Sequence, residues 1–373
     1  MSTMYDWSKP CLDILQSIFK RLNRKDFHRA RTVCSTWYTV SETCMPPPYP
    51  WRLVFRKYSV WSLDPEGNDV RENKFSTLLF DPEEDSIREI EYPELDLSEK
   101  YCIASCSNWL LMVDQRLNFN ILNVFTRETI ILPSMEPSLL GIQQGDDDDE
   151  EDEYFISRNE IEDAKRSAVL WINERTRDYV VAFAYKRDFL FTFKKGDEAW
   201  RRNLQGTRCD DMAFKDNKLY VLALDNFIKI VDLSGDLPRE SLENPYLNHR
   251  FTFRMGPREC IWKRRIAISK SGEVLVIQSS KVSKDKFVFQ IFKMNVESSK
   301  WEIVDSLGDE MLIFGHGVTV RTSVKGGSIC FAEDDIDPCK GSGVFDLATG
   351  TITWAKQVGK KLSESRWFVP GYC

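Results

Sequence analysis

The sequence predicts a mainly β chain with a small N-terminal all-α segment, the β part arranged as a six-bladed β-propeller. Three observations carry this. Two amphipathic helical patterns crowd into residues 12–40, a proline-rich stretch MPPPYP stands at 45–50, and six copies of a strand-pair unit follow from residue 51 to 373. The expected organisation is a helical segment at 1–44, a stiff joint at 45–50 and a β domain at 51–373.

In the first helical pattern Leu12, Leu15, Ile18, Phe19 and Leu22 recur at the three-and-four spacing that puts them on one face. Pro10 suits a first turn, and Asp13 favours the positive helix end. Ile14 is apolar but off the stripe. The second pattern starts after Asp26, a good N-cap, and runs Phe27, Ala30, Val33, Cys34 and Trp37 along a matching stripe. Two helices of about ten to a dozen residues are expected. Ordering the backbone costs about 1–2 kcal/mol per residue, more than so short a hairpin recovers alone. It must therefore dock, either on its own β domain or on another polypeptide. The prolines of 45–50 end the helical part and are expected to hold the β domain at a restricted angle to it.

From residue 51 the pattern changes to β-branched and aromatic runs of four to eight residues between polar turns. One unit recurs: a tight turn, an apolar strand, a connection, a second strand, then a polar turn often followed by Trp. Its opening turns are placed at Asn73, Asn108, Asp178, Asn217, Gly272 and Gly327, six units in all. The longest spacing, Asn108 to Asp178, contains DDDDEEDE at 146–153, so an insertion at 142–165 in a connecting loop is expected there. Units of this size cannot bury both faces alone, and radial packing gives the propeller; a stacked sandwich is the alternative. Either WRLVF (51–55) or SRWFV (365–369) would complete the last blade.

Composition narrows the function. The formal charge is -7, but the eight acidic residues of 146–153 account for it and leave the remainder at +1. So neutral a body gives no reason to expect nucleic-acid binding, and Lys263, Arg264 and Arg265 read as ordinary surface. The acidic run is a solvated loop or a lure for a basic partner. No apolar run has the length of a membrane span, and MSTMYDWSKP lacks the features of a secretory signal, so no membrane partner and a cytoplasmic or nuclear location are expected. Ten scattered cysteines offer one close pair, Cys102 and Cys106, with no second pair to answer it; free thiols rather than a metal site are expected. Three separated histidines supply no nucleophile–base pair, and Gly315-His316-Gly317 and Gly341-Ser342-Gly343 read as turns rather than phosphate loops. No catalytic residue, cofactor or metal is expected.

Pro10, Leu12-Asp13-Ile14-Leu15, Ile18, Leu22, Asp26-Phe27, Arg29, Arg31 and Val33-Cys34-Ser35-Thr36-Trp37 together resemble the F-box over nearly its whole length. Where that family opens Leu-Pro, this chain has Lys9-Pro10. The resemblance implies binding to the Skp-type adaptor of a cullin-RING (SCF) ubiquitin ligase, with contacts at Pro10, Leu12, Ile14, Leu15, Ile18, Leu22, Val33, Cys34 and Trp37. The β part is similar to the kelch-like C-terminal domain of many plant F-box proteins, which implies a propeller that holds a substrate protein for ubiquitination. Relatives would carry glycines near Asn108 and in the Thr126–Thr129 turn, absent here. The competing expectation is a propeller scaffold outside any ligase, its helical hairpin packed intramolecularly.

Overall fold

The computed structural model describes residues 11–22, 26–27, 30, 33–44, 50–63, 69–81, 86–90, 92, 97, 100–139, 168–205, 207–252, 260–283, 286–295, 297–322, 326–336, 341–355 and 363–370. Pro10, most of the proline-rich joint and the insertion with its acidic run fall outside them. The chain divides into two compact units, Met1–Pro48 and Tyr49–Cys373.

The helical unit holds α1 (Leu12–Phe19) and α2 (Ser35–Thr43), with helical backbone also at Asp26, Phe27 and Ala30. The expected second helix is therefore interrupted. Val33 is in a bend and Cys34 is extended (φ -163, ψ 172), so Cys34 caps α2 rather than continuing a stripe, and Asp26 is itself helical instead of an N-cap. The physical reason is local: Thr32-Val33-Cys34-Ser35 joins β-branched to small polar residues, all poor helix formers.

The second unit is a propeller of six sheets. In the first, β1 (Trp51–Leu63), β2 (Asp69–Asp81) and β3 (Ser86–Ile90) are joined along β1 by β25 (Ser363–Phe368). The second has β4 (Lys100–Cys106), β5 (Trp109–Asp114), β6 (Phe119–Asn123) and β7 (Thr129–Ile131), followed by a short helix, α3 (Glu136–Leu139). The third has β8 (Ala168–Ile172), β9 (Tyr179–Tyr185), β10 (Phe189–Lys194) and β11 (Arg201–Gln205). The fourth has β12 (Cys209–Lys215), β13 (Lys218–Ala223), β14 (Ile228–Asp232) and β15 (Arg239–Glu240). The fifth has β16 (Cys260–Ile268), β17 (Val274–Lys281), β18 (Phe287–Asn295) and β19 (Lys300–Ile303). The sixth has five strands: β20 (Glu310–Ile313), β21 (Thr319–Arg321), β22 (Ser328–Phe331), β23 (Gly343–Asp346) and β24 (Thr351–Trp354), with β20 parallel to β22.

Each junction between successive blades has its own apolar cluster. Leu53, Leu110 and Phe368 join the first to the second, Phe119, Phe183 and Trp200 the second to the third, and Val180, Met212 and Phe214 the third to the fourth. Ala213, Ile266 and Phe292 join the fourth to the fifth, Phe289, Phe314 and Phe331 the fifth to the sixth, and Met311, Cys330 and Trp367 the sixth back to the first. The ring is closed. A middle strand is covered on both faces, which is why Trp109–Val113 and Val180–Tyr185 read as unbroken apolar runs instead of alternating. Outermost strands are short and exposed, as at Lys300–Ile303, which limits edge-to-edge pairing.

The six-unit count holds, but its frame shifts by one strand. Asn108, Asp178, Asn217 and Gly272 lie between the first and second strands of their blades, so each blade starts one strand earlier than the repeat suggested. Asn73 is not a turn residue: it pairs with Ser59 inside the β1–β2 ladder, which runs on to the pair Leu63 and Asp69. Both candidate closing strands are used, side by side, with Arg52 opposite Trp367.

A second repeat, unnoticed in the sequence, holds the other set of turns. Asn123 Oδ1 accepts from the backbone N–H groups of Phe125 and Thr126, Asn173 Oδ1 from Arg175 and Thr176, and Asn295 Oδ1 from Glu297 and Ser298. Asp346 Oδ1 accepts from Thr349 in the same way. The next residue is left-handed each time: Arg127 (φ 64), Arg177 (φ 58), Ser299 (φ 54) and Gly350 (φ 65). The side-chain oxygen fixes a turn that relatives would be expected to build with glycine, so the missing glycines leave the blade geometry intact.

Lys263, Arg264 and Arg265 are not surface. Arg265 Nη1 donates to Asp211 Oδ1 at 3.1 Å, its Nη2 lies 3.6 Å from Asp335, and Lys263 Nζ lies 3.6 Å from the same carboxylate, all with side chains at most 4% exposed. Arg264 pairs with Asp210 at 2.8 Å. One strand of the fifth blade thus ties the fourth to the turn at Glu333–Asp335 after β22. At the closure, Arg52 donates to Ser342 at 2.6 Å and Ser365 donates to Glu333 at 2.6 Å, so Gly341-Ser342-Gly343 is a seam rather than a ligand loop.

The Gly315-His316-Gly317 turn needs both its glycines. Gly317 (φ +79) lies where a Cβ would come 3.2 Å from Ala213 Cα, and at Gly315 (φ +85) it would meet the Arg265 guanidinium at 3.3 Å. Between them the His316 ring nitrogens are buried without a hydrogen-bond partner among the described residues, and burial pushes the imidazole down to about 4. Asp211 moves oppositely: burial, partly countered by Arg265, raises it to about 7. A neutral buried His316 loses stability as pH falls from 6.5 toward 4, because the unfolded chain takes the proton first. The Asp211 contribution is full below its ordinary 3.8 and is lost as pH rises toward 7. Between these limits the two slopes oppose at about 1.4 kcal/mol per pH unit each. His316→Gln is therefore expected to leave a stability that falls with rising pH over that range, and Asp211→Asn one that rises, as read by urea unfolding at a series of pH values.

Among the described residues Cys11, Cys34, Cys44, Cys102, Cys209, Cys260 and Cys330 are thiols, outside any disulfide. Cys106 is disulfide-bonded, which departs from the expectation of free thiols throughout.

Candidate protein-interaction surface of the helical unit

Leu15, Phe19, Phe27, Ala30 and Val40 form a closed apolar core, with Leu22, Trp37 and Cys44 packed against it. The Phe19 ring meets Phe27 edge-on at 5.0 Å and Trp37 at 5.6 Å. Both sequence stripes converge here, each anchored by an aromatic side chain.

The nine expected adaptor contacts divide into groups. Leu15 is fully buried in that core. It packs beneath the exposed residues as part of the unit's own core. Ile18, Leu22, Cys34 and Trp37 are half-buried. Leu12, Ile14 and Val33 are exposed at 57%, 44% and 62%, and Pro10 is outside the described residues. The same interruption that breaks the second stripe turns Val33 outward. Phe27, the second helical pattern's first anchor and fully buried, was not among the expected site residues; its signal was its place beside Asp26 at the start of an apolar stripe.

The apolar atoms left in water on this small unit are thus a side-chain set its own core does not need. Among the described residues no group of three or more His, Cys, Asp or Glu side chains is placed to hold a metal ion. No described helix is long and apolar enough to cross a membrane.

A short helical unit with a finished core and an uncovered apolar shoulder, followed by a closed propeller, defines an F-box protein of the β-propeller class. A family model described as the F-box domain matches residues 11–48, and one described as the KIB1-4 beta-propeller matches 79–346. The chain belongs to the F-box proteins with a KIB1-4 beta-propeller. A relative from Arabidopsis thaliana named as an F-box protein is 52% identical, covering 99% of both chains. F-box only protein 7 of Arabidopsis thaliana is 46% identical over 100% of this chain and 96% of its own, and F-box protein KIB4 of the same plant is 32% identical over 97% and 95%. F-box proteins are generally non-catalytic, and the combination of F-box and propeller supports a role in SCF substrate recognition.

Proposed function

We propose that this chain is the non-catalytic substrate-recognition subunit of an SCF-type cullin-RING E3 ubiquitin ligase. The helical unit binds a Skp-type adaptor, and the propeller holds a substrate protein, in the cytoplasm or nucleus. Catalysis is by proximity: the bound substrate's lysines reach a high effective concentration beside the ubiquitin-loaded enzyme, whose thioester chemistry belongs to other subunits. The observation that carries the reading is the exposed set Leu12, Ile14 and Val33 on a unit whose core is already complete.

Co-expression with a tagged Skp-type adaptor tests it. Burying three exposed aliphatic side chains is worth about 3–5 kcal/mol, so the triple variant Leu12→Asp, Ile14→Asp, Val33→Asp should weaken adaptor binding by about 10²–10⁴-fold, with the helical unit still folded. Wild-type protein that purifies intact without adaptor, under gentle conditions and at adaptor excess, overturns the proposal.

A further inference from the structure

Antiparallel blades put their second-to-third-strand turns and their blade-to-blade connections on one face. On that face the turn between β9 and β10 meets the connections β11 to β12 and β15 to β16, and cations accumulate there. Lys186, Arg202, Arg208 and Arg250 are exposed, with Arg187 half-buried. The pieces are physically joined: Cys209 N–H donates to Arg187 O at 2.8 Å, Leu224 N–H to Arg208 O at 2.8 Å, and Arg250 Nε to Asp225 O at 2.8 Å. The Arg202 guanidinium lies 4.7 Å from the Phe189 ring centre, and Arg208 stands 3.5 Å from Asp188. Among the described residues, counting Lys229, whose Nζ donates to Thr207 at 2.7 Å, and the Arg264–Asp210 pair, seven cations face four carboxylates, Asp188, Asp210, Asp225 and Glu243. This small rim holds a net +3 in a body that is +1 outside its acidic run.

The hairpin tip supplies a second observation. Consecutive non-glycine residues with positive φ occur at two places among the described residues: Asp216-Asn217 (φ 51 and 58) and Lys186-Arg187 (φ 50 and 61). Asp and Asn tolerate that conformation and suit a plain turn, whereas Lys and Arg gain nothing from it locally. Strain kept at a cationic tip is what a binding site retains.

We propose that this rim binds an acidic segment of a partner protein, reading clustered carboxylates through the Lys186, Arg187, Arg202 and Arg208 side chains. Guanidinium groups suit carboxylates because they offer paired donors in a plane. A polynucleotide fits less well, because its charge extends past so small a rim onto a body that is only +1 outside the acidic run. The site belongs to the propeller alone, so its test is independent of adaptor binding.

The probe is a fluorescein-labelled octaglutamate peptide, titrated by anisotropy into the full chain. Saturable binding is expected, weakening at least tenfold in Lys186→Glu/Arg208→Glu and staying within twofold in Arg175→Glu/Lys195→Glu on the opposite face. Lys186→Asn/Arg187→Gly installs residues that prefer the turn; it should keep or raise the thermal midpoint yet weaken the peptide at least threefold. Equal binding by wild type and Lys186→Glu/Arg208→Glu overturns the proposal. So does tighter binding of a 20-nucleotide single strand, or binding that appears only after deletion of 146–153, which would assign the rim to the chain's own acidic run.

Discussion

Arg265→Ala is expected to destabilise the propeller by about 3–5 kcal/mol, a third or more of the stability of an ordinary domain. The guanidinium is 2% exposed, donates to Asp211, lies 3.6 Å from Asp335, and its Cζ sits 5.7 Å from the Phe314 ring centre. Removing it leaves carboxylates from two blades buried beside Lys263 alone and opens a void against Gly315. Losing one partner of a buried ion group costs more than the group was worth intact, because Asp211 is then left with neither water nor a counter-ion while Asp335 keeps Lys263. The corresponding control is Arg265→Met with Asp211→Asn, which removes charge from both sides and should recover much of the loss. Urea unfolding followed by tryptophan fluorescence reads both; a loss below about 1 kcal/mol for Arg265→Ala would show the network to be dispensable.

Leu15→Asp is expected to unfold the helical unit and leave the propeller transition in place. Leu→Ala at a site this enclosed costs about 2–5 kcal/mol, and an aspartate adds the burial of a charge among Phe19, Phe27 and Val40. A unit this small has no such reserve. Hydrogen exchange should show residues 12–43 losing protection while β5, β9 and β17 keep theirs. Under the proposed function, loss of adaptor binding in this variant would report the core, and only the exposed Leu12, Ile14 and Val33 would report the surface. Retained protection across α1 in Leu15→Asp would contradict the packing described.

Much of the helical unit was legible because helical periodicity marks which side chains share a face. What the period could not show was the break at Cys34, set by local residues of low helix propensity and by packing of Trp37 onto Phe19. Period alone also treats Leu12 and Leu15 alike, though one is exposed and the other sealed. The propeller was legible as repeats, and turn residues gave the count. Its frame was not, since a turn of Asn, Asp or Gly looks the same before a first or a second strand. Asn73 misled because asparagine favours turns, while the twelve-pair ladder of β1 with β2 overrides it. Lys263-Arg264-Arg265 misled more deeply: charge in a sequence suggests water, and the partners that permit burial, Asp211 and Asp335, come from distant stretches.

The closure of the first blade sets an order of events during synthesis. Arg52 and Ser342 bond across 290 residues, and bringing ends so far apart together costs about 5 kcal/mol of chain entropy. Residues 363–368 leave the ribosome after β1 to β24, so until then β1 keeps its inner edge unpaired, a template for unwanted pairing. The helical unit, complete by residue 44, has no such wait. A nascent chain can thus expose Leu12, Ile14 and Val33 well before the propeller ring has shut.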